Sequence, residues 1–112
     1  MSAAVQIMTT ASSREEAQRL ADLLVEARLA ACVQVVGPIQ STYRWQGRLE
    51  RSEEWLCLAK TQEAAFSQVE QAIRAAHSYE TPEIVALPIV AASLPYLAWL
   101  TAETTPPAGA HR

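Results

Sequence analysis

The stretch HSYETPEIVALPIV, His77 to Val90, carries the reading on which the fold turns. It sets a histidine, a tyrosine and two glutamates around Pro82 and then runs apolar. The apolar part, EIVALPIV, has the length and composition of a strand. Pro88 cannot donate to a hydrogen-bonded ladder, so this strand belongs at a sheet edge. Pro82 pushes Thr81 into an extended conformation, which makes the polar part a turn. The run from Ile84 to Leu100 falls short of the ~20 residues of a membrane span and is broken by Pro88 and Pro95. It reads as a strand followed by a short helix, SLPYLAWL, with Pro95 in the first turn.

Upstream of that strand the apolar spacing alternates between the two periods. AVQIMTT (Ala4–Thr10) reads as a first strand. Ser12 with Glu15, or Ser13 with Glu16, forms a capping box. The helix it opens carries Ala17, Leu20, Ala21, Leu24 and Arg28 on one stripe and is expected to end near Leu29. AACVQVV (Ala30–Val36) is a second strand, interrupted by a bulge or bend at Gly37-Pro38 and resumed as IQSTYRW. Gln46-Gly47 is a tight turn, and RLERSEEWLCLAKT (Arg48–Thr61) returns antiparallel. Residues 63–77 form a second helix with Phe66, Val69, Ile73 and Ala76 on one face. The order β-α-β-β-α-β plus a terminal helix is the ferredoxin-like, α+β arrangement. Two right-handed crossovers give an antiparallel sheet of order 4-1-3-2, in which the last strand is an edge, as Pro88 requires. One domain over residues 1–104 is expected, with a flexible tail over 105–112.

The 112 residues are half hydrophobic, 19% charged and carry a formal net charge of -3. That balance argues against a general nucleic-acid binder. Two cysteines, Cys32 and Cys57, are too few for a disulfide framework, and the first residues lack the pattern of a signal peptide. A cytoplasmic setting is expected. The two helices cover one sheet face only. The long hairpin arm bears Tyr43 and Trp45, aromatic side chains that an isolated hairpin cannot bury. Self-association is expected to cover them.

Four blocks, RLAACVQVV, STYRWQGRLERSEEWLCLAKT, HSYETPEIVALPIV and YLAWL, occur in an order and at separations that resemble the CutA divalent-cation tolerance family. The resemblance spans about Thr9 to Leu100. It implies a cytoplasmic homotrimer of ferredoxin-like subunits, similar in architecture to the PII-type signalling proteins, and a link to copper and other divalent metals. It also implies, for metal-binding members, paired histidines at the turn after the second helix and a cysteine on the first strand. This chain has Ala76-His77 and Thr9 at those places.

His77 and Cys32 are the candidate metal ligands. Neutral imidazole is the commonest ligand for transition metals, and a histidine at a helix C-terminus is also favoured by the helix dipole. Any copper or zinc contact is expected to centre on His77, with Glu80 or Glu83 completing a mixed nitrogen–oxygen site. No cofactor is expected to be required for folding. With Cys57 facing Val36 across the hairpin, Cys32 lies about 13 Å away, too far to share a metal ion or a disulfide. Lys60, Tyr79, Glu80 and Glu83 are the candidate residues of a ligand cleft, with Lys60 near the turn and paired with a glutamate. Arg44, Arg48 and Arg51 alternate with aromatics on the arm but are interspersed with Glu50, Glu53 and Glu54, which reads as a salt-bridged contact between copies.

There is no nucleophile elbow, Gly-rich phosphate loop or metal-protease spacing, so an enzyme is not expected. The leading expectation is a trimeric, metal-responsive binding protein of divalent-cation tolerance, with no nucleic-acid or membrane partner. Two others stand beside it. One is a PII-like sensor taking a small anionic or nucleotide effector between subunits. The other is a structural trimer acting through protein partners.

Overall fold

The computed structural model describes residues 3–105. The elements are β1 (Ala4–Ala11), α1 (Arg14–Glu26), β2 (Cys32–Trp45), β3 (Arg48–Gln62), a single 3-10 turn (Glu63–Ala65), α2 (Phe66–Ala76), β4 (Val85–Pro88) and α3 (Leu94–Glu103). The sheet order is β2-β3-β1-β4 and every neighbouring pair is antiparallel, as expected. β4 is an edge strand, with Pro88 opposite Val5. It is shorter than expected, because only Val85 to Pro88 pair with β1. Tail residues 106–112, including His111, lie outside the described residues.

Local chemistry explains the element ends. Ser13 caps α1, its hydroxyl accepting from the Glu16 N–H at 3.0 Å. Gln46 (φ 51°) and Gly47 (φ 80°) both take left-handed backbone, the pattern of a two-residue hairpin turn. α1 stops at Glu26, earlier than expected, because Arg28 turns left-handed (φ 59°). Arg28 therefore leaves the apolar stripe. Its guanidinium donates to the carbonyls of Ala102 and Thr105, both at 2.8 Å, and satisfies the open C-terminal end of α3. Thr105, expected to open the tail, is held by that bond.

Side-chain alternation divides the sheet into two faces. Val5, Ile7 and Ala59 pack with Leu24, Val69 and Ile73 under α1 and α2. Ala11 and Cys57 pack with Ala17 and Leu20. The opposite face is covered at one end only, where Leu100 of α3 seats on Ala4 and Ala31. Beyond α3 that face presents Met8, Val36, Leu56, Leu58, Val85 and Leu87. Val36 is 46% and Leu87 49% exposed, so a contiguous apolar surface stands open on one chain.

A bulge at Gly37-Pro38 inserts one residue into β2 and shifts the register of the hairpin's inner half. Cys57 consequently faces Val35, not Val36. β1 ends opposite Trp55, whereas the β2–β3 ladder continues from Ile39–Glu54 out to Trp45–Arg48 as an unsupported arm. The chain measures 49 × 32 × 22 Å as a result. Among the described residues no helix is long and apolar enough to cross a membrane.

Candidate functional site

A cleft of about 740 Å³ opens on the uncovered face where the arm leaves the sheet. Tyr43 and Trp45 from β2 and Glu54 from β3 form one wall. The loop between α2 and β4 forms the other, with Tyr79, Glu80 and Glu83. The volume suits a small ligand or an inserted side chain. Three of the four cleft residues expected from sequence therefore meet there. Lys60 does not. It lies opposite Cys32 and Gln6, and its ammonium donates to the Gln34 side-chain carbonyl. Six β3 positions separate it from Glu54, about 20 Å at strand rise. The expected pairing of Lys60 with a glutamate of the turn is thus not made within one chain.

The loop is held by two buried carboxylates that sequence reasoning missed as site residues. Glu16 is buried at the start of α1 and accepts from the Ser12 N–H and hydroxyl, each at 3.0 Å, and from the Ser78 N–H at 2.8 Å. Burial raises its pKa, but the bonds from Ser78 and Ser12 outweigh that and hold it at about 2. Glu54, only 6% exposed, accepts from the Tyr79 hydroxyl at 2.7 Å. Burial and this bond to Glu54 push the Tyr79 phenol well above its ordinary range. The capping-box spacing pointed to Glu16 as a cap, while its reach to Ser78 spans 62 residues and left no local signal.

His77 is placed differently from the expectation of a metal ligand. Its side chain is fully enclosed. Nε2 lies 2.7 Å from the Thr10 carbonyl and Nδ1 accepts from the Tyr79 N–H at 3.0 Å. This pattern puts the proton of the neutral ring on Nε2. Glu16 stands 3.6 Å from Nδ1, and the Tyr79 ring packs at 4.7 Å. Both nitrogens are therefore used by the backbone, which makes His77 a brace for the loop.

Cys32 is on β2, three residues from Val35, the partner of Cys57, so about 10 Å separates the two thiols' strand positions. Cys57 is buried, 3.6 Å from the Ala17 carbonyl, and burial followed by the Glu16 charge pushes its thiol up to about 11. Thr9, at the first-strand position, is buried and opposite Cys57, and its hydroxyl has no hydrogen-bond partner among the described residues. Among the described residues no group of three or more His, Cys, Asp or Glu stands together as a metal cage. The donors of a single chain do not fit a tightly held transition metal.

The family model described as CutA1 divalent ion tolerance protein matches residues 5–103. The chain belongs to the CutA1 family. The CutA protein of Thermus thermophilus is 45% identical over 98 residues, covering 88% of this chain and 95% of that one. The CutA protein of Archaeoglobus fulgidus is 42% identical over 94 residues, covering 84% and 91%. The chain spans 55% of the chloroplastic CutA of Arabidopsis thaliana, at 36% identity and 89% coverage of this chain. The solved T. thermophilus CutA1 superposes with a TM-score of 0.89 at 43% identity, over 91% of this chain and 99% of that one. CutA1 of Oryza sativa gives 0.90 at 35% identity, over 93% and 95%. The ferredoxin-like fold and the CutA resemblance read from the sequence are both borne out. Relatives described as chloroplastic, and one structure described as periplasmic, show that CutA proteins are named from several compartments.

Proposed function

We propose that this CutA chain serves divalent-cation tolerance as a homotrimeric, non-catalytic binding protein. The observation that carries the reading is the open apolar face, from Val36 to Leu87, continuous with the aromatic wall of an unsupported arm. Association removes such a surface from water at roughly 25 cal/mol per Å². In this reading each cleft lies between neighbouring subunits. Divalent cations, copper and zinc among them, meet the exposed carboxylates of Glu80 and Glu83 with low affinity, and His77 stays a structural brace. A cytoplasmic setting suits the free thiols of Cys32 and Cys57. The acidic lining of the cleft disfavours the anionic effector of the sensor alternative, because Glu54, Glu80 and Glu83 repel it.

The test is Trp45→Ala. Losing a large aromatic from an interface is expected to cost ~3–5 kcal/mol and to make the melting temperature rise with protein concentration. A melt independent of concentration, with unchanged assembly, contradicts the interface role.

A further inference from the structure

Lys60 and Glu54 present complementary problems on one sheet face. Both side chains lie on the face turned away from α1 and α2, by alternation with Cys57 and Ala59. Glu54 is already nearly buried, and among the described residues its one side-chain hydrogen-bond donor is the neutral Tyr79 hydroxyl. The ion pairs among the described residues are Arg28–Glu103 and Arg74–Glu70, and the neutral His77 ring is what lies beside Glu16, so none brings a cation to Glu54, Glu80 or Glu83. Lys60 lies on the same face between Cys32 and Gln6, next to the end that α3 covers, and its one side-chain partner among the described residues is the neutral Gln34. Covering this face would bury a carboxylate without a cation and an ammonium without an anion. Each alone is strongly unfavourable. Within one chain they stand about 20 Å apart on β3 and cannot meet.

The geometry points to their meeting between copies: Lys60 of one subunit enters the cleft of the next and pairs with Glu54, with Glu80 and Glu83 at the rim. The occupant of the cleft is thus a second copy of this chain. In a closed ring every copy gives one lysine and receives one, which leaves no buried charge unpaired. The cleft is incomplete until the neighbour supplies its cation. This rests on the proposed self-assembly and adds to it the residues that set subunit register.

Lys60 is the only lysine in the sequence, which makes the test direct. Full-length chains, half of them nitrogen-15 labelled, are assembled by denaturation and refolding together and treated with a zero-length carbodiimide. That reagent joins an amine to a carboxylate in contact. A cross-link from Lys60 to Glu54, Glu80 or Glu83 that unites labelled and unlabelled peptides is expected. Lys60→Arg keeps the charge and the assembled mass but loses the link. Glu54→Lys is expected to weaken assembly roughly a hundredfold, and Glu54→Lys with Lys60→Glu to restore most of it. An intact trimer whose Lys60 gives no interchain link overturns the pairing while leaving the trimer standing. A monomeric mass overturns both. Should Glu54→Lys fail to fold, the cross-link in the unmodified chain still decides.

Discussion

The Tyr79 hydroxyl donates to Glu54 across 2.7 Å and ties the loop after α2 to the root of the β2–β3 arm. β1 ends one position short of Glu54, so no strand supports that point from the other side. The loop takes the place of the missing strand and shapes the cleft in doing so.

Tyr79→Phe keeps the ring against His77 and removes this bond. A hydrogen bond to a charged group contributes about 1.5–3 kcal/mol, and Glu54 would lose the side-chain donor that its own chain supplies. Denaturant titration is expected to show a loss in that range with an unchanged m-value. A change below about 0.5 kcal/mol, the scale of an ordinary surface substitution, argues that the bond does not anchor the loop.

Glu16 should govern the acid limb of stability. Its folded pKa of about 2 lies below the ordinary 4.5, so its contribution is full above pH 4.5 and is lost as pH falls towards 2. The shift corresponds to roughly 3 kcal/mol. Unfolding free energies measured from pH 6 to pH 2.5 should fall steeply in the native chain and less so in Glu16→Gln. Parallel slopes in the two proteins rule out the linkage.

Copper binding separates His77's two possible jobs. In a His111→Ala background, His77→Ala should lower stability by roughly 3 kcal/mol, for two lost hydrogen bonds and the cavity. Copper(II) affinity by calorimetry should stay within about twofold, whereas Glu80→Gln with Glu83→Gln should reduce it. Loss of copper binding with His77→Ala alone restores the histidine to the metal.

Gly37 lies against the Trp55 indole: a Cβ there would sit 2.7 Å from Cγ and 2.8 Å from Nε1. Gly37→Ala must displace that side chain and is expected to cost about 1–3 kcal/mol. The change should be visible in the fluorescence of a chain in which Trp55 is the only tryptophan. An unmoved spectrum and melting temperature contradict this packing.

The sequence made the fold readable wherever the signal was local. Pro88 marks an edge, Gln46-Gly47 a turn and Ser13 a cap because each acts on its own backbone. The inner register of the hairpin turned on whether Gly37-Pro38 takes up an extra residue, a choice the local sequence leaves open between bulge and bend. The cleft was legible in part. Tyr79, Glu80 and Glu83 stand together on one loop, but Glu54 joins them from 25 residues away. Lys60 was misplaced because six positions of β3, about 20 Å, separate it from Glu54 beside the turn. His77 has a ligand's chemistry, and only the fold shows that Thr10 and Tyr79 occupy both its nitrogens.

The claim on which the rest depends is that the open sheet face and arm are covered by other copies of the chain. Light scattering coupled to gel filtration at micromolar concentration measures this most directly. The account predicts a mass three times that of the 12.2 kDa chain, with no folded monomer on dilution. A single species of 12.2 kDa with native circular dichroism would contradict it.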